Sequence, residues 1–277
     1  FISILSFLML FIPANATFSV DNLIKGKDYK KVPSWTIDSL KLILSIVYIF
    51  SGLAKLNSDW LLKAMPLKIW LPSKFDLPLI GQNLMQLEWV HYAMSWGGMF
   101  YDLLIPFLLL NKRTRLFGFV LVVFFHIFTR VLFPIGMFPY IMIIGSLIFF
   151  DSKFHIKTLK FINKIIPSFS SIKKILNNGK STVIEIYEIK KEKLIVCIVS
   201  LFFVVQFLFP LRYLLYPGEL FWNEQGYRFS WRVMLMEKKG YSVFKIVDQK
   251  KGTFFYVNNE DFLTPFQEKQ MSFQPDF

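Results

Sequence analysis

Three ionisable side chains stand where apolar sequence should exclude them. Lys55 ends the apolar run Leu40–Leu56, Asp102 sits inside Gly97–Leu104, and His126 lies in the middle of Val122–Arg130. A charged or titratable group at such depth is costly, so each is a functional candidate by default. For Lys55 two readings stand. A lysine at the end of a span can snorkel, its stem in lipid and its ammonium in water. Alternatively, desolvation disfavours the charged form of an amine, and a neutral amine can take a proton as a general base. The local stretch Ser51–Trp60 has two small residues that allow another backbone or a ligand to approach closely. His126 is either a catalytic group or one half of a helix–helix hydrogen bond, with Arg130 one turn on along the same face. Asp102 is expected to pair with an arginine or lysine elsewhere in the protein. Tyr227–Arg232, with the sequence Tyr-Arg-Phe-Ser-Trp-Arg, alternates aromatics with arginine. It reads as a membrane-interface belt or as a binding strip for an acidic or planar ligand. Histidines and the single cysteine, Cys197, are not at ligand spacing, so no metal site is expected and no internal disulfide can form.

The elements that must position these groups are membrane spans. Of 277 residues, 54% are hydrophobic, and the mean hydropathy is +0.46. The apolar residues fall in blocks of about 17 or more, long enough to cross a bilayer. Phe1–Ala14 reads as the tail of a span whose start lies upstream. Further spans are expected at Leu40–Leu56, Tyr92–Leu110, Leu116–Phe133 and Leu194–Tyr216. Between the last two, Pro134, Gly136 and Pro139 interrupt the chain, so Phe133–Phe150 is either a full span with an irregular start or a re-entrant one. The net charge of +13 does not indicate nucleic acid, because the lysines lie in the gaps between spans and no nucleic-acid motif accompanies them. Their expected partner is the lipid bilayer, anionic lipid in particular.

Loop charge orients the spans. Residues 151–193 carry ten lysines against four acids, and the 111–115 turn has three basic residues and no acid. The 57–90 loop balances three lysines against three acids. Basic loops in the cytoplasm give one consistent zigzag, with the 57–90 loop, the 133–139 break and the tail on the outer face. The expected fold is therefore an all-α polytopic transmembrane helical bundle over residues 1–216. An incomplete β-containing extracytoplasmic domain follows over 217–277, where Tyr241–Asp248 alternates as a strand and Thr253–Val257 reads as its hairpin partner.

Four stretches, in order, resemble the vitamin K-dependent γ-glutamyl carboxylases and the related bacterial HTTM-domain proteins. Ala14–Asp21 is similar to the family's Ala-Asn-His-Tyr-x-Ser-x-Asp stretch, with Ala16 in place of its histidine. Val47–Trp60, through Tyr48, Gly52, Lys55, Leu56 and Trp60, is similar to its tyrosine–glycine–lysine–leucine–tryptophan signature. His126 with Leu132–Phe138 resembles its His-to-Phe-x-Ile-Gly-Met-Phe segment, although Thr129 replaces an asparagine. Gly226–Arg232 resembles the block that begins the family's lumenal domain.

The resemblance implies a bacterial inner-membrane carboxylase that uses vitamin K hydroquinone or menaquinol with O2 and CO2, and no metal. Lys55 would deprotonate the quinol. Oxygen would then convert it to a strong base that ends as the epoxide, and that base would remove a γ-proton from a glutamate in a peptide or protein on the outer face. CO2 would capture the resulting carbanion. By family position Lys55 and His126 would be catalytic, while Asn15, Tyr227, Trp231 and Arg232 would bind substrate. Two other readings keep the same membrane fold: a quinol epoxidase without carboxylation, and a non-enzymatic scaffold or transporter-like protein.

Overall fold

The computed structural model describes residues 1–16, 19–25, 27–74, 76–78, 80–165, 182–238 and 240–273. Thr17 and Phe18, in the family-like Ala14–Asp21 stretch, lie outside the described residues, as does most of the Lys-rich segment after Ile165. The chain divides into two units, Phe1–Val233 and Met234–Phe277.

The first unit contains α1 (Ile2–Met9), α2 (Val20–Lys25), β1 (Lys27–Lys31), α3 (Ser34–Ala54), α4 (Ser58–Lys63), α5 (Leu67–Trp70), α6 (Glu88–Leu110) and α7 (Arg115–Leu132). It continues through α8 (Phe138–Ser146), α9 (Ser152–Ile165), β2 (Thr182–Ile186), α10 (Glu192–Leu208) and α11 (Leu220–Asn223). Among the described residues, four helices are long and apolar enough to cross a membrane: α3, α6, α7, and α10 with its 3-10 continuation to Leu215. They coincide with the four full spans expected from sequence, so the chain is an integral membrane helical bundle followed by a small sheet region. α3 begins six residues before its apolar run. Pro33 sets the helix start, and the Thr36 hydroxyl donates to the Pro33 carbonyl at 2.7 Å. Between Phe133 and Phe150 the chain is helical only from Phe138, and the apolar piece Phe138–Phe149 stays short.

One buried cluster ties the spans together, with Leu44, Val47 and Tyr48 from α3, Ile105 and Leu109 from α6, Val122 from α7, Met142 from α8, and Phe149. A second cluster joins Leu8 of α1, Ile43 of α3 and Val199 of α10. Phe1 packs against the first cluster and Leu8 against Ile43, so α1 descends antiparallel to α3. The tight 111–115 turn works because Arg115 is a C-terminal cap for α6. Its Nε donates to the Leu109 carbonyl at 3.0 Å and its Nη2 to Leu110 at 3.3 Å, setting a cation on the negative end of the helix. β1 pairs in parallel with β2, Lys27 opposite Thr182 and Lys31 opposite Ile186, an element the sequence did not announce.

The second unit holds the expected hairpin in shortened form. β3 (Lys245–Val247) pairs antiparallel with β4 (Phe254–Tyr256), Lys245 opposite Tyr256. The Asp248 carboxylate accepts from the backbone N–H groups of Lys250 and Lys251 and so closes the turn. α12 (Pro265–Met271) follows, started by a Thr264–Gln267 capping box.

Candidate active site

Lys55 does not snorkel. It is 7% exposed, and its Nζ lies 2.6 Å from Asp102 Oδ2 on α6, itself 5% exposed. Ser51, one turn back on α3, joins both: Lys55 Nζ donates to Ser51 Oγ at 2.9 Å, and Ser51 Oγ donates to Asp102 Oδ2 at 2.8 Å. Asp102 thus finds the basic partner that its depth demanded. The Trp60 ring covers the ammonium, its centroid 5.5 Å away. Trp60 is itself anchored, with Nε1 donating to the Ser95 carbonyl at 2.7 Å and the Ser95 hydroxyl returning a bond to the Trp60 carbonyl. A pair closed off in this way gains strength from low local dielectric, and removing one partner would strand the other as a buried charge.

Backbone features bring the two helices together here. A Cβ on Gly52 would lie 2.7 Å from the Leu103 side chain and 3.0 Å from the Leu103 backbone nitrogen, so only glycine permits this approach of α3 to α6. On α6, Pro106 has no N–H to give the carbonyl four residues back, which is that of Asp102. The helix is therefore released from its own ladder at the residue that carries the carboxylate.

His126 occupies an adjoining aromatic nest. It is buried on α7, with Nδ1 3.1 Å from the Val122 carbonyl and 3.3 Å from the Tyr101 hydroxyl. Tyr48 meets the His126 ring edge-on at 6.2 Å, and Phe138 lies at 6.3 Å. Arg130, expected on the same face, is exposed. Tyr48, Ser51 and Lys55 form one stripe of α3 at i, i+3 and i+7. Consecutive residues of α6 serve the two halves of the site, Tyr101 facing His126 and Asp102 facing Lys55.

Trp231 belongs to this same neighbourhood. It packs against the central cluster and meets Phe1 edge-on at 6.0 Å, while Phe1 in turn meets Phe138 at 6.2 Å. The loop that delivers it is conformationally unusual. Phe229 and Trp231 both adopt left-handed φ, 56° and 58°, which bulky residues rarely do, and such outliers gather at ligand-binding sites. Gly226, at φ 81°, starts the turn, where a Cβ would strike the Tyr213 backbone at 2.7 Å. Arg232 lies over the Tyr213 ring at 4.4 Å, and burial lowers its guanidinium below the ordinary arginine value. Tyr227 packs its ring 6.2 Å from Phe221.

Two buried polar atoms bordering the nest have no hydrogen-bond partner among the described residues: Tyr48 Oη and Trp231 Nε1. Arg232 Nε is a third buried donor without a partner. Buried polar groups are nearly always satisfied, so these three mark places where a ligand's oxygens would be welcome.

Of the residues singled out from sequence, Lys55, His126 and Trp231 come together around α3 and α6, with Tyr227 and Arg232 on the loop that carries Trp231. Asn15 does not join them. Its Nδ2 donates to Asp21 at 2.7 Å, and Ala16 beside it bonds to Tyr29 of β1, the strand that leads into the start of α3. Lys55 lies beyond the other end of that 21-residue helix, about 30 Å away at 1.5 Å per residue. Tyr101, Ser51 and Tyr48 were not foreseen as site residues, although Tyr48 stands in the same signature two turns before Lys55.

Fold and site together define a membrane-embedded helical protein with a buried lysine–carboxylate pair beside an aromatic nest. Residues 1–154 match the HTTM domain family, and residues 191–277 match the vitamin K-dependent gamma-carboxylase lumenal domain. The chain belongs to the γ-glutamyl carboxylase-like family. No solved structure matches the chain.

Proposed function

We propose that this protein is a vitamin K-dependent carboxylase in which the Lys55–Asp102 pair is the base that activates the quinol. The observation that carries the reading is the pair itself, buried, held by Ser51 and adjacent through α6 to the His126 nest. An oxygen-bearing aromatic ring fits that nest, because Tyr48 Oη and Trp231 Nε1 supply unspent polar atoms among stacked and edge-on rings. When bound, reduced vitamin K or menaquinol supplies with O2 the strong base that removes a glutamate γ-proton, and CO2 captures the carbanion.

The protein's own part is to hold the ring and to take the quinol proton. At 2.6 Å from a carboxylate, Lys55 rests as an ammonium with no lone pair to offer. It can accept a proton only by surrendering one. As a new N–H bond forms at Lys55 Nζ, an existing N–H breaks toward Asp102 and an O–H forms at Oδ2. The base is thus the pair, with Asp102 as the final acceptor. Ser51 Oγ, bonded to both, keeps the two heavy atoms aligned during the transfer.

For the second substrate, Arg232 offers a partly buried cation to a glutamate carboxylate, with Tyr227 and Trp231 on the same loop. His126 positions the ring edge through its link to Tyr101. Asn15 is bonded to Asp21 at the far end of α3, and its removal is expected to spare quinol activation. The charge counts of the loops support an orientation with Lys55 and the tail on the extracytoplasmic side, and the family resemblance suggests a bacterial inner membrane.

The test uses the protein in nanodiscs with reduced vitamin K, O2, labelled CO2 and a glutamate-containing peptide. Epoxide and incorporated CO2 are measured separately, and both are expected. Epoxide without CO2 uptake would leave quinol oxygenation and overturn carboxylation, whereas neither product would overturn both.

A further inference from the structure

We propose that α9 is an in-plane helix that docks on a leaflet of anionic phospholipid and fixes the bundle's Arg115 end to the membrane surface. Its four lysines, Lys153, Lys157, Lys160 and Lys164, recur at i, i+4, i+7 and i+11 and are all exposed. That spacing puts them on one narrow stripe of the helix. About a quarter-turn round the helix runs a second stripe, Phe154, Phe161 and Ile165, at i, i+7 and i+11, each one residue after a lysine of the first. Phe161 and Ile165 are 64% and 62% exposed, so protein does not cover the far half of that face.

Two features specify lipid as the occupant. The first is continuity with the spans. α9 begins three residues after the apolar piece Phe138–Phe149 ends, and Phe154 stacks on Phe150 at 4.1 Å. Phe150 is in turn covered by Arg115, the first residue of α7, which also pairs with Asp151 at 3.5 Å. The helix is therefore fastened where two spans reach the aqueous boundary, and its apolar stripe continues from aromatic rings already at that depth. The second is charge. Four lysines with no acid on a 14-residue helix are too costly to carry across a bilayer, but they match a leaflet of acidic headgroups. A helix whose cationic stripe borders an aromatic one at a span end lies flat, with rings among the acyl chains and the long lysine stems carrying their ammonium groups up to the phosphates. The proposal is independent of the carboxylase reading.

Hydrogen exchange of residues 152–165 tests it in the full-length protein. The chain is placed in nanodiscs of phosphatidylcholine alone or of phosphatidylcholine with phosphatidylglycerol. Slower exchange is expected with phosphatidylglycerol, and added salt should shrink the difference. Replacing the four lysines by Gln should abolish the lipid dependence, the docked-to-undocked ratio falling about fivefold per lysine. Phe161→Ser with Ile165→Ser should speed exchange in both lipids. Equal exchange of the wild type in the two lipids would overturn the proposal. So would equal protection in detergent without anionic lipid, since a protein segment would then be the cover. The wild-type comparison decides even if the variants fail to fold.

Discussion

At the scale of single residues, the pair and its neighbours make opposed predictions that kinetics can separate. If Lys55 alone were the base, neutralising its partner would free the amine, and Asp102→Asn would keep or raise epoxide formation. With Asp102 as final acceptor, Asp102→Asn should lower it by about 10²–10⁴-fold, the usual worth of a general base, while Asp102→Glu restores part of the rate. A rate in Asp102→Asn equal to the wild type would refute the relay. Tyr48→Phe separates stability from function. Its hydroxyl is buried without a partner among the described residues, so removal should leave stability unchanged or raise it by about 1 kcal/mol. Quinol KM should nevertheless rise several-fold, consistent with one lost hydrogen bond of about 0.5–1.5 kcal/mol. Thermal denaturation and steady-state kinetics on the same preparation check both. Lys55, Asp102 and His126 were each legible in the sequence because an ionisable group in an apolar run is conspicuous. That Lys55 meets Asp102 was not, since the two lie on separate helices and no local periodicity relates their positions.

At the scale of elements, the α3–α6 crossing carries the site. Gly52→Val would push a side chain into Leu103 and its backbone nitrogen. It should cost about 1–3 kcal/mol, the usual penalty of overpacking, and abolish epoxide formation by separating Ser51 and Lys55 from Asp102. A melting temperature and rate both equal to the wild type would show that the close approach is dispensable. The spans were readable because hydropathy alone dictates a bilayer crossing, while their boundaries moved by up to six residues, most at Pro33, and α6 starts at Glu88, four residues before its apolar run. The β1–β2 pairing was not readable. Lys27–Lys31 and Thr182–Ile186 lie far apart in sequence, and β1 is too charged to announce a strand. The hairpin in the second unit was readable, since Asp248 and the lysines after it mark a turn between two alternating runs.

At the scale of the whole molecule, the proposed carboxylation requires that Lys55 and the Tyr227–Arg232 segment share one face of the membrane. α10 runs parallel to α3, with Trp35 bonded to Glu192 near their starts and Phe50 against Phe207 near their ends, so both deliver the chain to the same side. Single cysteines at Gln82 and Lys112, in a chain whose Cys197 is replaced by Ser, should react oppositely with an impermeant thiol reagent on intact cells, Gln82 labelled and Lys112 protected. The reverse pattern would invert the orientation inferred from the lysine-rich loops. The central claim, that a buried amine–carboxylate pair starts the reaction, is met most directly by Lys55→Ala. With the helices still folded by thermal denaturation, epoxide formation should fall by about 10²–10⁴-fold. Epoxide formed by Lys55→Ala at the wild-type rate would contradict it.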